Sequence, residues 1–150
     1  MKMNNRGFTL VELLAVLAII AIIGMIAIPN VISVVDNNKK DLMLQDAQKM
    51  VSLAKAEIMQ DRVFRDDPTK KEITYYLKDL DEKGVLKTDP DGGSYDPNSY
   101  VRYRKATNGS TTSGYCVYLV GSKRTIKASK SGLSCVNEEN LSNRSYVFDN

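Results

Sequence analysis

Glu12 is the one charged side chain in an otherwise apolar run that covers residues 8–28. An ionised carboxylate inside a lipid bilayer costs about 2.5 kcal/mol or more. We therefore expect the Glu12 carboxylate to have a charged or hydrogen-bonding partner. As a helix, the run would span about 31 Å, which matches the thickness of a bilayer core. We therefore expect a membrane helix whose carboxylate serves a purpose other than anchoring.

Two ordinary explanations of an apolar N-terminal run fail here. A secretory signal peptide has an apolar stretch of about 7–15 residues and then a small-x-small cleavage site, and this run is longer and lacks such a site. A plain membrane anchor explains the length of the run but not its carboxylate. The basic residues Lys2 and Arg6 before the run favour a cytoplasmic N-terminus.

The N-terminal segment resembles that of type IV prepilins in the sequence Arg6-Gly-Phe-Thr-Leu-Val-Glu-Leu-Leu14. The resemblance implies that a membrane aspartyl peptidase cuts between Gly7 and Phe8 on the cytoplasmic face and then methylates the new amine of Phe8. Glu12 would become the fifth residue of the mature chain, the position of the family's functional glutamate. Pro29 would be the family's proline, near which the helix is expected to bend or melt in the filament.

Simple electrostatics agrees with a role for Glu12 in assembly. After cleavage, the amine of Phe8 is a cation in the same layer as the Glu12 carboxylate. Both charges enter a low-dielectric packing when the helix moves from lipid into a filament core, where an unpaired ion costs several kcal/mol. Pairing Glu12 of one subunit with Phe8 of the next would fix the axial register of helices that could otherwise slide.

The helix is predicted to resume after Pro29 and to end near Phe64, before the breaker Asp66-Asp67-Pro68. Its second half carries an apolar stripe at three- and four-residue spacing, which should face a sheet. The stripe consists of Met43, Ala47, Met50, Val51, Ala54 and Ile58. Residues 69–72 have the form of a capping box, which predicts the start of a short helix. Apolar residues continue at helical spacing as far as Leu80, and Gly84 is expected to end the helix.

The C-terminal part has the alternation and turn residues of an antiparallel sheet. Strands are predicted at 100–104, 115–120 and 124–128, with a polar loop at 108–114 and a turn at Gly121-Ser122. Residues 133–136 are expected to pair with the sheet or cross it, and residues 146–148 to form a last strand or a docked segment. Cys116 and Cys135 favour one disulfide in an exported domain over two buried thiols.

The expected fold class is therefore α+β, with a long N-terminal helix, transmembrane in its first half, packed on a small antiparallel sheet as in type IV pilins. The expected divisions are a leader at 1–7, a transmembrane and filament-core helix at 8–29, its amphipathic continuation at 30–66, a connecting loop with a short helix at 67–99, and the sheet with a disulfide-bounded C-terminal region at 100–150.

One turn-rich loop offers a weak candidate metal site. Its aspartates Asp89, Asp91 and Asp96 have carboxylate oxygens of the kind that calcium binds, and some pseudopilins carry calcium in a comparable loop. The spacing is not that of a regular calcium loop, so solvated turn acids are the preferred interpretation. We expect no metal and no cofactor.

A basic stretch is the second candidate for ligand binding. The net charge of +3 is too small to imply a polyanion partner, but residues 100–130 contain no acid. Seven basic residues lie there: Arg102, Arg104, Lys105, Lys123, Arg124, Lys127 and Lys130. A solvated sheet face is the preferred interpretation, and a surface for DNA, another anionic polymer or neighbouring subunits is the alternative.

The chain has no histidine, phosphate loop, zinc spacing or G-x-S-x-G elbow, so we do not expect an enzyme. The resemblance implies the structural subunit of a type IV pilus, a filament for adhesion, aggregation and motility. The alternative is a pseudopilin of a type II secretion or competence/DNA-uptake system. Outside this class, a monomeric tethered binding protein and a nucleic-acid binder stay open.

The same resemblance implies partners and a location. The expected partners are identical or related pilin subunits, a prepilin peptidase/methyltransferase, an inner-membrane assembly platform and membrane lipid before assembly, with DNA as a weak candidate. The precursor is expected in the cytoplasmic membrane as a single-pass protein, and the mature subunit in an extracellular pilus.

Overall fold

The computed structural model describes residues 8–81, 84, 86–106, 113–132 and 134–150. The chain divides into two compact units, Met1–Asn37 and Asn38–Asn150. Helix α1 (Leu10–Gln60, 51 residues) contributes to both units. Predictions for Gly7, for most of the loop at 108–114 and for Leu133 lie outside the described residues.

In the second unit, α1 buries one face. All six residues of the predicted apolar stripe are at most 7% exposed, because their three- and four-residue spacing places them on one side of the helix. The helix was predicted to end near Phe64, but α1 ends at Gln60. A short helix α2 (Arg62–Asp66) follows, and the Asp61 carboxylate caps it by accepting the N–H of Phe64 at 2.9 Å.

The sheet of the second unit has six antiparallel strands. They are β1 (Glu72–Tyr76), β2 (Tyr100–Arg104), β3 (Gly114–Val120), β4 (Arg124–Ile126), β5 (Val136–Asn137) and β6 (Val147–Asp149). The strand order is β1-β2-β3-β4-β6, and β5 also pairs with β3. Two 3-10 turns, Glu138–Asn140 and Arg144–Tyr146, precede β6. The expected α+β class is confirmed.

The core of this unit lies between α1 and one face of the sheet. From the strands it takes Val101, Val117, Leu119, Ile126 and Val136, each at most 1% exposed. These β-branched and aliphatic side chains alternate with residues that point to the other face. Burial of this apolar area, with the stripe of α1 opposite it, is the main source of the unit's stability.

The prediction of a short helix that opens with a capping box at residues 69–72 and stops at Gly84 is wrong for residues 72–76. Residues Glu72–Tyr76 form strand β1, and helix α3 covers only Leu77–Leu80. The Thr69 N–H and hydroxyl both donate to the Asp67 carboxylate, so the expected capping box does not form there. Pairing with β2 outweighs the helical spacing, because Tyr75 lies opposite Val101 and packs against the core.

The other strand predictions agree with the structure to within two residues. β2 has the predicted bounds, β3 begins one residue early, and β4 ends two residues early. The turn between β3 and β4 is closed by the Gly121 N–H, which donates to the Arg124 carbonyl at 2.8 Å. Of the segment 133–136, which was predicted to pair with the sheet or cross it, Val136 pairs with the sheet in β5 beside β3. β6 is the predicted last strand.

The predicted disulfide is present. It joins Cys116 in β3 to Cys135, directly before β5, with the two Cα atoms 5.3 Å apart. The bond therefore holds β5 in register beside β3, where Val136 lies opposite Val117.

We predict that replacing both cysteines, Cys116→Ser with Cys135→Ser, lowers the free energy of unfolding by about 2–5 kcal/mol. The unfolded chain then loses the constraint of a closed loop of nearly 20 residues. Urea unfolding of the processed protein in detergent, followed by circular dichroism, measures the difference. The control is Ser134→Ala, a change beside the bond that should leave the unfolding midpoint in place. Equal midpoints for the double variant and the oxidised wild type would contradict the prediction.

Candidate functional site

Thr9 and Glu12 close the first turn of α1. One carboxylate oxygen of Glu12, Oε2, accepts from the backbone N–H and from the hydroxyl of Thr9, both at 3.0 Å. The Thr9 hydroxyl oxygen accepts the N–H of Glu12 at 3.3 Å. This reciprocal arrangement is a capping box, which gives acceptors to N–H groups that have no partner inside the helix.

Thr9 is a site residue that was not expected from the sequence. The signal was available, because Thr-x-x-Glu before an apolar run is the sequence signature of a capping box. Glu12 itself was expected to need a partner from another subunit. The structure shows that its carboxylate has two donors within its own chain, which reduces the free energy needed to hold it in lipid.

Beyond this cap, α1 is apolar on every side through Ile28. The large apolar side chains of residues 10–35 are 46–77% exposed. The most apolar 18-residue window of α1 has a mean hydropathy of 2.9, and none of it is buried. A helix that is apolar all round belongs in lipid or in the core of a helical assembly. By length and composition, the described part of the chain holds one helix able to cross a membrane.

Residues 2–28 match the prokaryotic N-terminal methylation motif. The chain carries the type IV prepilin signature. Comparison with curated proteins and with solved structures found no match in either set. The signature covers the basic leader, the cap and the apolar run, and it is typical of structural rather than catalytic proteins.

The prepilin signature implies processing by a prepilin peptidase and an assembly role, and with the apolar helix it fits a membrane-anchored precursor. Its landmarks lie close together in the chain. Phe8 is 83% exposed and lies just before α1, and Glu12 is one turn further on. Cleavage at Gly7 and methylation of Phe8 stay predictions.

Pro29, the residue directly after the matched motif, lies within α1, and the helix continues through it. Proline has no N–H, so the Met25 carbonyl loses its usual helical donor. Beside it, Asn30 Nδ2 donates to the Ile26 carbonyl at 3.2 Å, and Ser33 Oγ donates to the Asn30 carbonyl at 3.0 Å. These side chains supply extra donors where the proline weakens the ladder. A bend or melting at Pro29 in the filament stays a prediction.

Asp89, the first of the predicted calcium residues, is a buried turn-former. Its carboxylate accepts the N–H groups of Asp91 and Gly93, both at 2.9 Å, and that of Ser122 at 2.5 Å. Burial raises the pKa of Asp89, but these hydrogen bonds outweigh it and hold the pKa below its usual value. The carboxylate therefore stabilises the fold above pH ~4, and this contribution is lost as the pH falls through the lowered pKa.

Asp91, the second predicted calcium residue, belongs to an ion-pair network. Arg124 Nη1 donates to both carboxylate oxygens of Asp91, at 2.7 and 2.6 Å, and Lys39 Nζ donates at 3.1 Å. The side chains of Asp91 and Arg124 are only 4% and 9% exposed. Asp149 in β6 also lies 3.3 Å from Arg124. The network thus links the turn at Asp91 to α1 and to two strands.

Asp96, the third, caps its own turn by accepting the N–H of Asn98 at 2.8 Å. The three aspartates are therefore engaged with N–H groups and cationic side chains. Among the residues that the structure describes, no group of three or more acidic, cysteine or histidine side chains is placed to hold a metal ion. Calcium binding, which was the weaker of the two interpretations of this loop, gains no support from this geometry.

The seven basic residues of the predicted anion surface do not form one patch. Arg124 is buried in the ion-pair network, and Lys105 donates to the carbonyls of Phe64, Arg65 and Asp67 at the end of α2, at 2.5–3.3 Å. The other five are Arg102 and Arg104 on the outer face of the sheet, Lys123 and Lys130 in exposed turns, and Lys127 beside the Phe148 ring. Arg124 and Lys105 therefore serve the fold instead of a polyanion surface.

An open depression of about 700 Å³ lies beside the outer face of the sheet. It is lined by Arg102 and Arg104 on one part and by Glu138 and Glu139 on another. Arg104 also lies 3.4 Å from Glu72. The charges of both signs compensate each other, so this depression does not favour DNA as its ligand.

We predict that Thr9→Val in the processed chain speeds amide exchange at Glu12 about fivefold in detergent micelles. The variant removes the hydroxyl that accepts this N–H, and the loss of an N-cap side chain costs about 1 kcal/mol. Hydrogen exchange followed by NMR gives the rate. Thr9→Ser, which keeps the hydroxyl, is the matched control and should exchange like the wild type. An unchanged rate in Thr9→Val would show that the cap does not form in solution.

We predict that Asp91→Ala lowers the free energy of unfolding by about 3–5 kcal/mol, because it leaves the buried Arg124 guanidinium without its main carboxylate. The control is Arg104→Ala, which removes an exposed ion pair with Glu72 and should cost less than about 1 kcal/mol. Urea unfolding with and without calcium measures both variants. A loss in Asp91→Ala no larger than in the control would contradict the structural role of the network.

Proposed function

We propose that this chain is the structural subunit of a type IV pilus, made as a membrane-anchored precursor and polymerised into an extracellular filament for adhesion, aggregation and motility. One observation carries the proposal: a carboxylate, Glu12, stands in the first turn of a helix that is apolar on all sides. A membrane anchor has no use for this charge, whereas an assembly of such helices can use it to set their register.

The first step is hydrolysis of the peptide bond between Gly7 and Phe8 by a prepilin peptidase/methyltransferase. This removes the basic leader and turns the Phe8 nitrogen into an amine, which the same enzyme methylates and which stays cationic. Thr9 and Glu12 lie within the next turn. The cut therefore places a new positive charge beside the one negative charge of the apolar segment.

The second step is transfer of the helix from lipid to the filament, with an inner-membrane assembly platform as partner. Both Thr9 bonds end on the same oxygen of Glu12, and a carboxylate has about four acceptor sites. The carboxylate can thus keep its cap and accept the Phe8 amine of a neighbouring subunit. This pairing compensates both charges in a dry helical core.

The second unit supports an exported location for the mature subunit. A disulfide persists in oxidising compartments, and the bond between Cys116 and Cys135 lies in the sheet of this unit. The unit buries its own core and keeps most of its charged side chains exposed, so it is suited to stand outside the membrane while α1 anchors it.

A pseudopilin of a type II secretion or competence/DNA-uptake system is the alternative, since the prepilin signature is shared by both. Electron microscopy of cells that overproduce the chain separates the two: long surface filaments support the pilus, and short filaments confined to the envelope support the pseudopilus. A monomeric tethered protein would yield no filament and would keep its leader.

We predict that Glu12→Gln leaves processing and membrane insertion intact but lowers the yield of sheared filaments at least tenfold. The amide keeps the size of the side chain and removes the charge that the Phe8 amine needs. Gly7→Ala should instead block processing, so its product retains Met1. The mass of the purified chain reports processing, and electron microscopy of the sheared fraction reports assembly. Wild-type filaments whose subunits begin at Met1, or normal assembly of Glu12→Gln, would overturn the proposal.

A further inference from the structure

Three asparagines of the chain begin the acceptor sequence for N-linked glycans. This sequence is Asn-x-Ser or Asn-x-Thr, in which x is not proline. It occurs at Asn108, Asn140 and Asn143, each of which is followed two residues later by a serine. Asn108 lies outside the described residues. The other two acceptor sequences are adjacent, at 140–142 and 143–145, in the segment between β5 and β6.

Burial distinguishes these two adjacent acceptor sequences. In the first, Asn140 is half-buried and Leu141 is 0% exposed, because the leucine side chain belongs to the core of the second unit. In the second, Asn143, Arg144 and Ser145 are all exposed. A glycosyltransferase has to enclose the acceptor sequence in its own site, so the first sequence would have to leave the core. Of the two, the second alone is accessible in the folded protein.

The side chain of Asn143 is oriented by a turn of its own. Its Oδ1 accepts the backbone N–H of Ser145 at 2.9 Å, which brings together the asparagine and the serine of the acceptor sequence. No described residue accepts a hydrogen bond from Nδ2 of Asn143. The nitrogen to which a sugar would be attached therefore has no bond within the described part of the chain to give up.

The segment around Asn143 can open without disturbing the sheet. Arg144 donates two hydrogen bonds to Asp41, at 2.5 and 2.6 Å, but both side chains are exposed, and exposed ion pairs are weak. The backbone bonds of Asn143 are local: its N–H donates to the Asn140 carbonyl at 3.1 Å, and its carbonyl accepts the N–H of Tyr146 at 3.3 Å. Strand β6 begins only after these residues. Local opening of such a surface segment costs less free energy than global unfolding.

We propose that Asn143 is a site of N-linked glycosylation, with an oligosaccharide supplied by a lipid pyrophosphate donor in the membrane. A bond forms between Nδ2 of Asn143 and the anomeric carbon of the first sugar. The bond between that carbon and the pyrophosphate oxygen breaks, and the pyrophosphate leaves with the electron pair. One Nδ2 proton passes to a base of the transferase, and no atom is oxidised or reduced.

The location proposed for the second unit suits this reaction. Helix α1 is able to hold the precursor in the membrane, where a lipid-linked donor is held as well. The disulfide between Cys116 and Cys135 is typical of an oxidising compartment, outside the cytoplasm. The inference goes beyond the proposed function, since it requires export of the second unit but not assembly of a filament.

The test is mass spectrometry of proteolytic peptides that cover residues 131–150, from chains purified from the organism that makes them. We expect the wild-type peptide to carry the added mass of one or more monosaccharides, and Asn143→Gln to lose it completely. Ser145→Ala should lose it as well, although this variant keeps the backbone N–H that Asn143 binds, so the loss does not depend on the turn. The matched controls, Ser145→Thr and Asn140→Gln, should retain the added mass.

Four results would overturn this inference. An unmodified wild-type peptide from chains with a formed disulfide would show that the second unit is exported without a glycan. Added mass that persists in Asn143→Gln would assign the modification to another residue, and added mass that persists in Ser145→Ala would show that it does not follow the acceptor sequence. Free thiols at Cys116 and Cys135 would remove the proposed export together with the inference, and thiol labelling of the same sample detects them. Thermal unfolding midpoints equal to that of the wild type show that each variant is folded.

Discussion

The Glu12 carboxylate lies in the first turn of a helix that is otherwise apolar, and it needs a partner wherever this helix is buried. Lipid makes an isolated carboxylate expensive, and a dry helical core does the same unless the ion is paired. Thr9 provides two donors to one oxygen of Glu12 within the same chain. The carboxylate therefore has donors without a second chain, and it keeps further acceptor sites.

Helix α1 changes its character along its length, and this change separates anchoring from folding. From residue 13 to residue 28 it is apolar on all sides, and its large apolar side chains are exposed. In the second unit it is amphipathic, with residues such as Met50 and Ala54 buried against the sheet. The sheet and its core thus pack against the second half of α1 alone.

Contacts between residues far apart in the sequence determine which charged side chains of the second unit are bonded inside the fold. Arg124 is buried against Asp91, and Lys105 caps the end of α2. Both residues belong to the basic stretch that suggested an anion surface, and Asp91 belonged to the suggested calcium site. These three groups are satisfied inside the fold, so they are engaged with the protein itself.

The sequence by itself determined the N-terminal site, the apolar stripe and strand β2, because each depends on neighbours within a few residues. The Thr9 cap could be predicted from the same local pattern, Thr-x-x-Glu. It was not expected, because the partner of Glu12 was sought in another subunit. Tertiary structure alone decided that residues 72–76 form β1, since their spacing fits a helix until Tyr75 meets Val101 across the sheet. It also decided the pairing of Asp91 with Arg124, 33 residues apart. Local patterns report hydrogen bonds within one turn, whereas burial and pairing depend on what the folded chain places opposite.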